Sequence, residues 1–347
     1  MVRKVSRGGR SGYGERARGL VRRLGIWPAA FSLFGLALFT GTIAWLGWGD
    51  IIRALDRVSL PGFGVYFGIQ LVLVAGLAGA WRLLLRYRRG GRFGLLCWGR
   101  LVRDAAGEFL PFSHVGGFIL GGRAIALGGV TFADAAASTL ADVTVEFLTE
   151  LIFIAFGLAL LVGLFPNSDL LLPVALGLVV ALFGAAGFMF MQKDGSRLFR
   201  GLAMRIAGHS AEAASIRMDR LQAAIDAIYA RPVRMICAGA VHLVCWVGSG
   251  VASYVAFHAL GADISLTNAL AIEALLNGIL TAGFFVPGRL GVQEAAYTLL
   301  GSIFGIPADI ALSVSLLRRA RDLIIAVPVL LVWQGIEAKR LQPAPGD

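Results

Sequence analysis

Charge is scarce in this chain: only 15% of its residues are Asp, Glu, Lys or Arg, against roughly 25% in a soluble domain. That shortage excludes a fold whose whole surface faces water. Cysteine is scarcer still, and Cys97, Cys237 and Cys245 form no CxxC or Cys/His ligand spacing. A disulfide framework and a metal site are therefore excluded, and the three thiols read as structural residues within helices. No GxxxxGK[ST] run occurs, so nucleotide-driven chemistry is not expected, nor is any cofactor. No Pro/Ser-rich linker and no polar block large enough to fold alone interrupts the sequence, which leaves no room for a separate soluble domain.

What the chain has instead is apolar length. It is 57% hydrophobic with a mean hydropathy of +0.77, and several stretches reach the ~20 residues that cross a hydrocarbon core as helix. The expected fold class is an all-α polytopic membrane protein. The net charge of +11 does not point to nucleic acid, because the arginines cluster beside apolar runs, where they report membrane topology.

Arg3, Lys4, Arg7, Arg10, Arg16, Arg18, Arg22 and Arg23 crowd a tail, residues 1–26, that holds a single acid, Glu15. The tail is expected in the cytoplasm, followed by a single transmembrane domain over residues 27–335 and a second cytoplasmic tail over 336–347. The first span, about Trp27 to Trp48, is too long and lacks the cleavage site of a signal peptide. A second span, about Phe63 to Leu85, leads to a loop with Arg86, Arg88, Arg89, Arg92 and Arg100, which is placed inside. Spans follow at about Phe132 to Leu164 and Leu170 to Met191. The basic stretch 192–234 comes next, cytoplasmic again, in which Ile216, Leu221, Ile225 and Ile228 recur near helical spacing. It reads as an amphipathic helix, either packed on the bundle or touching anionic lipid at the cytoplasmic surface. Further spans run from about Met235 to Leu260 and from about Pro307 to Trp333, and both termini come out cytoplasmic.

Two segments do not read as clean spans. One, about Phe93 to Gly129, contains GEFLPFSHVGGFILGGR; the other, about Asn268 to Gly305, contains GFFVPGRLGVQEAAY. Each has a central Pro, several Gly and polar side chains, and irregular backbone at membrane depth is tolerated only where it lines a cavity or is buried in protein. Helix breaks are expected near Pro111 to Gly117 and near Pro287 to Gly291. Pro111 and Pro287, Asp134 and Asp309, and Ser138 and Ser313 recur at a nearly constant interval, as in an internal repeat. About six full spans plus two re-entrant hairpins in an inverted repeat, facing each other across a shared cavity, is the expected architecture; a plain eight-span bundle with kinked helices is its rival.

The charged residues inside the apolar regions are candidates for a site. Asp142, Glu146 and Glu150 recur every four residues and share a helical face. Three carboxylates in a row need basic partners or protons, and Arg318, Arg321 and Asp322 offer such a face, with Arg319 pointing elsewhere. Glu108, Ser113 and His114 sit at the first break; Arg289, Gln293 and Glu294 sit at the second. Arg123, Arg289 and Arg318 could each grip a phosphate through bidentate hydrogen bonds. Glu273 and Asn277, one turn apart, could face the same cavity or bond between helices. His242 and His258 are expected to be satisfied by neighbouring helices. Whether the charged groups form a working site or a stabilising buried network stays open at this point.

The strings GEFLPFSHVGGFILGGRAIALGG, VPGRLGVQEAAY and SLLRRARD resemble the flippase-like membrane region of lysylphosphatidylglycerol synthases, over nearly the whole chain after the tail. More narrowly, LPFSHVGG, GRLGVQEAAY and LLRRARD are similar to the subgroup associated with hopanoid biosynthesis. The resemblance implies lipid handling in a bacterial inner membrane: binding of a phospholipid or hopanoid-type lipid and its movement between leaflets. The aminoacyl-transferase domain of the synthases is not expected, since the sequence stops shortly after its last span. A lipid-modifying enzyme using Glu108 and His114 as acid and base, and a non-transporting scaffold for lipid biosynthesis, are the alternatives. Expected partners are membrane lipid, further copies of the chain or a lipid-synthesis protein.

Overall fold

In the computed structural model, the described residues (58, 60–85, 92–109, 113–169, 171–187, 189, 211–282, 289 and 291–341) contain ten helices and no strand. The basic tail, the expected first span, most of the first basic loop, Pro111, Pro287 and residues 190–210 lie outside them. In chain order the helices are α1 Leu60–Leu84, α2 Phe93–Phe109, α3 Ser113–Leu127 and α4 Phe132–Leu164. Then come α5 Leu171–Gly187, α6 Ala211–Tyr229, α7 Pro232–Ala259, α8 Leu266–Ala282, α9 Val292–Ile303 and α10 Ala308–Leu341. The all-helical membrane fold is what the apolar composition requires.

Length sorts these helices. By length and composition, three helices over the described residues can cross a membrane: Pro61–Leu84, Phe132–Leu164 and Pro232–Ala259. Helix α4 is the longest of the three at 33 residues, and its start is fixed by Thr131, whose side chain accepts the Asp134 N–H as an N-cap. Helix α10 is longer by one residue, at 34, but carries Arg318, Arg319, Arg321 and Asp322 midway and Pro328 beyond them. It runs on through Lys339 and Arg340 to Leu341. Helices α2, α3, α8 and α9 have 17, 15, 17 and 12 residues. At ~1.5 Å per residue each falls short of a ~30 Å hydrocarbon core.

The short helices come in pairs around the two expected breaks. Helix α2 ends at Phe109 and α3 starts at Ser113, so the first break is tighter than expected, and Gly116 and Gly117 are already helical. The two helices pack antiparallel through glycine. A Cβ on Gly117 would meet the Arg103 carbonyl at 2.5 Å, and one on Gly121 would meet the Gly99 carbonyl at 3.0 Å. The second break separates α8 from α9, with Arg289 at φ +50° and Gly291 at φ +77°. Both conformations are left-handed and incompatible with continuous helix.

Each pair is followed by a long charged helix, α2–α3 by α4 and α8–α9 by α10, and the two Ala-Asp dipeptides of the sequence repeat open those long helices. Helix α6 lies against the bundle: Leu221, Ala224, Ile225 and Ile228 pack on Ala80 and Leu84 of α1, Ala137, Ala141 and Val145 of α4, and Ala238 of α7. Ile216, the remaining apolar residue of the expected stripe, is exposed. The largest apolar cluster joins α7, α8, α9 and α10 around Phe257, Leu276, Tyr297 and Leu317.

Candidate functional site

Between α1, α2, α4, α5, α7, α8 and α10, with the second break closing one side, lies a cavity of about 1190 Å³. That exceeds the ~300–1,000 Å³ typical of small-molecule pockets. Much of its wall is apolar, including Leu73, Leu77, Val174, Leu178 and Ile154. The rest carries charge arranged in two networks.

The first network ties α2 to α4. Arg100 and Arg103, three residues apart on one face of α2, are both buried at 5% exposure. Arg100 grips Glu146 with two hydrogen bonds, Nη1 to Oε2 at 3.1 Å and Nη2 to Oε1 at 2.6 Å, while its Nε donates to Asp104 at 2.8 Å. Arg103 donates to Asp142 Oδ2 at 2.6 Å and also to Glu146. Its guanidinium lies 4.8 Å from the Phe118 ring centroid, a cation–π contact that shields it further. Asp142, with no exposed surface, accepts a second bond at Oδ1 from His242 Nε2, 3.0 Å away on α7. A carboxylate only accepts, so His242 carries its proton on Nε2 there.

The second network joins α10 to α8, α9 and α1. Arg318 Nη1 donates to Glu273 Oε1 at 2.7 Å and lies 3.4 Å from the Tyr297 hydroxyl. Arg321 reaches Asp322 through Nε and Nη2 at 2.9 and 2.6 Å, and its Nη1 donates to Tyr66 Oη and Gln70 Oε1, both at 3.0 Å. Behind the cavity wall Arg319 holds Glu294 Oε1 at 2.6 Å, while Glu294 Oε2 accepts the Gly291 N–H at 2.9 Å and so caps α9. Gln293 fixes α9 to α10 by donating to the Ser315 carbonyl and hydroxyl, both at 3.1 Å.

The two breaks meet at the cavity. Arg289 Nη1 of the second lies 3.9 Å from Glu108 Oε2, near the end of α2 at the first. Glu150 completes the charged wall and accepts a hydrogen bond from Thr281 Oγ1 at 2.7 Å. Two polar atoms on the same wall, Glu273 Oε2 and Asn277 Nδ2, are buried without a hydrogen-bond partner.

Several expectations are corrected by this geometry. The acid stripe does not pair with Arg318 and Arg321: Asp142 and Glu146 are paired with Arg100 and Arg103, and Asp142 also bonds His242. Arg100 was read as a loop residue reporting topology, but it is a buried member of α2. Arg319 does point elsewhere than Arg318 and Arg321, and there it is 2% exposed and paired with Glu294. Arg123 lies outside the cavity, half exposed, in an ion pair with Glu337. The cavity wall does collect Glu108, Glu146, Glu150, Glu273, Asn277, Arg289, Gln293, Arg318, Arg321 and Asp322, while Asp142 and Glu294 stand behind it. Ser113 and His114 open α3, and their side chains lie outside the described residues. His242 is satisfied by a neighbouring helix at Nε2 only, and its Nδ1 is buried without a hydrogen-bond partner.

The residues missed were Arg100, Arg103, Asp104 and Thr281. The spacing of Arg100, Arg103 and Asp104 within one helical turn was the available signal.

Among the described residues no group of three or more His, Cys, Asp or Glu side chains is placed to hold a metal ion. No curated protein and no solved structure matches the chain. The family model of the lysylphosphatidylglycerol synthase TM region matches residues 32–329, and with that match covering most of a helical membrane chain, the protein belongs to this family.

Proposed function

We propose that the protein binds an amphipathic membrane lipid in the cavity and assists its passage between leaflets of a bacterial inner membrane, as a transporter rather than an enzyme. The observation that carries this reading is one cavity, too large for a small metabolite, with an apolar wall and a charged band at the level where two half-length hairpins meet. Such a wall suits a molecule with tails and a polar head, since the head finds hydrogen-bonding groups where lipid would offer none. The two hairpins and their long helices support an inverted repeat, with both termini and α6 on the cytoplasmic side. A phospholipid is the first substrate class to try, and a hopanoid-type lipid the second.

The test is reconstitution. Purified protein in vesicles of phosphatidylethanolamine and phosphatidylglycerol is expected to speed the exchange of fluorescent phosphatidylglycerol between leaflets over protein-free vesicles, with lipid masses unchanged. A changed lipid mass would replace this reading with a lipid-modifying enzyme. No acceleration for any phospholipid or hopanoid, with normal stability, would leave a scaffold for lipid synthesis. Labelling of single cysteines introduced into α6 from the outside of intact cells would overturn the topology.

A further inference from the structure

A carboxylate removed from bulk water needs a cation or a proton, because its bare charge is costly in low dielectric. Six carboxylates line the cavity: Asp104, Glu108, Glu146, Glu150, Glu273 and Asp322. Five have an arginine within ion-pair distance, supplied by Arg100, Arg289, Arg318 or Arg321. Among the described residues Glu150 has none, and its single hydrogen bond comes from the neutral Thr281 hydroxyl.

Among the described residues no other base comes within ion-pair distance of Glu150. On α4 itself the next carboxylate toward the N-terminus is Glu146, which adds negative charge. On α2, Arg100 and Arg103 are committed to Glu146, Asp142 and Asp104, and Glu108 is a further acid. Arg289, the base at the second break, approaches Glu108, and its charge reaches Glu150 from beyond ion-pair distance. On α7, His242 is bound to Asp142; on α8, Glu273 is held by Arg318. Helix α5 packs on α4 beside Leu151 and Ile154 and contains no titratable residue between Leu171 and Gly187. Arg123 of α3 turns to Glu337, and on α1 Tyr66 bonds Arg321 while Arg82 lies toward the other end of the helix. Helix α6 meets α4 at the level of Ala137, Ala141 and Val145, nearer its start than Glu150.

Position adds a second reason. Thr281 is the penultimate residue of α8, directly before the second break, so the Glu150–Thr281 bond ties a long helix to the hinge of a hairpin. Adding a proton to Glu150 removes its charge, turns an acceptor-only group into one that also donates, and changes what holds the end of α8. We propose that Glu150 is a proton-binding site through which lipid movement is coupled to a transmembrane proton gradient. An O–H bond of a hydronium ion in the cavity breaks as the O–H bond of the carboxylic acid forms, leaving water, and on release toward the other side that bond breaks as a water molecule takes the proton. The coupling rests on the lipid-moving reading; the proton site does not.

Two measurements keep these separate. In difference infrared spectra of the reconstituted protein, a carboxylic-acid C=O stretch is expected to appear as pH is lowered, to vanish in Glu150→Gln, and to persist in Glu337→Gln. Its absence from the wild type, or its persistence in Glu150→Gln, overturns the site. Should Glu150→Gln fail to accumulate, Glu150→Asp must move the band, and an unmoved band overturns the site equally. In the vesicle assay with fluorescent phosphatidylglycerol, an imposed pH gradient is expected to raise the wild-type rate several-fold and leave Glu150→Gln unchanged. A wild-type rate indifferent to the gradient overturns the coupling. If lipid moves under no condition, the lipid-moving reading falls and the coupling with it, while the infrared band still decides whether Glu150 binds a proton.

Discussion

The two charged networks are built with opposite polarity. In the first, the arginines sit on the hairpin helix α2, with Asp104, and their partners Asp142 and Glu146 on the long helix α4; in the second, the carboxylate Glu273 sits on the hairpin helix α8 and the arginines, with Asp322, on the long helix α10. They also differ in wetness. The side chain of Asp142 is fully buried and those of Arg100 and Arg103 are 6% and 5% exposed, whereas Arg318 and Asp322 are 15% and 23% exposed. Interlocking in the first is dense: two arginines, three carboxylates and a histidine share their bonds. A densely bonded cluster with a dry centre at Asp142 acts as a scaffold, although Asp104 at its edge is 39% exposed, while a cluster with fewer shared bonds can exchange partners with a ligand.

The largest test of that contrast is Asp142→Ala. It takes from Arg103 one of its two carboxylates and from His242 the partner of Nε2 in a buried site, and losing one partner of a buried ion pair costs about 3–5 kcal/mol. The expected outcome is a protein that fails to accumulate in the membrane, measured by blotting and by thermal unfolding of whatever is recovered. An Asp142→Ala protein of normal stability would show the first network to be no scaffold.

The scaffold also depends on how closely α2 and α3 approach. Gly117→Ala places a methyl 2.5 Å from the Arg103 carbonyl and 2.9 Å from the Gly107 nitrogen. Backbone atoms cannot rotate away, so the helices must separate, at a cost of about 1–3 kcal/mol. The separation moves Arg103, so thermal stability and lipid movement are expected to fall together. Gly116→Ala, one residue earlier, meets nothing within 4 Å and is the matched control.

These residues also show what could be read from the chain. The hairpin breaks were legible because Pro and Gly act through the local backbone, and span ends were legible because apolar length is a local property. Phe132 to Leu164 emerged with the same limits as α4. Partner choice was not legible. Arg100 follows a run of arginines and reads as topology, and only its place on α2, opposite α4, makes it the counter-ion of Glu146. Arg123 erred the other way: it adjoins the glycine-rich break in sequence, yet α3 carries it out to Glu337 at the end of α10. Arg319 likewise finds Glu294 only because α9 folds back along α10.

The open network gives the next smaller effect on stability with a larger one on function. Arg318→Ala leaves Glu273 without its arginine, but the cavity admits water to the vacated space, so the cost is expected to stay below that of Asp142→Ala. Lipid movement is expected to drop by at least about tenfold, or ~1.4 kcal/mol in the transfer barrier. Loss of stability matching Asp142→Ala would erase the distinction between the networks. Normal stability with normal movement would remove Arg318 from the site.

The smallest effect belongs to an arginine outside both networks. Arg123 is paired with Glu337 through Nε at 2.7 Å and Nη2 at 2.9 Å, a good geometry, but its side chain is 50% exposed. Exposed pairs contribute about 0–1 kcal/mol because water and salt screen them and two long side chains must be held still. Arg123→Ala is therefore expected to change thermal stability by less than about 1 kcal/mol and to leave lipid movement unaltered. The comparison with Arg318→Ala is informative because both remove one guanidinium from one carboxylate at the same 2.7 Å separation, leaving the environment as the difference. A large loss of movement in Arg123→Ala would mean that the latch between α3 and the end of α10 takes part in the cycle, and the boundary drawn here around the cavity would have to be widened to include it.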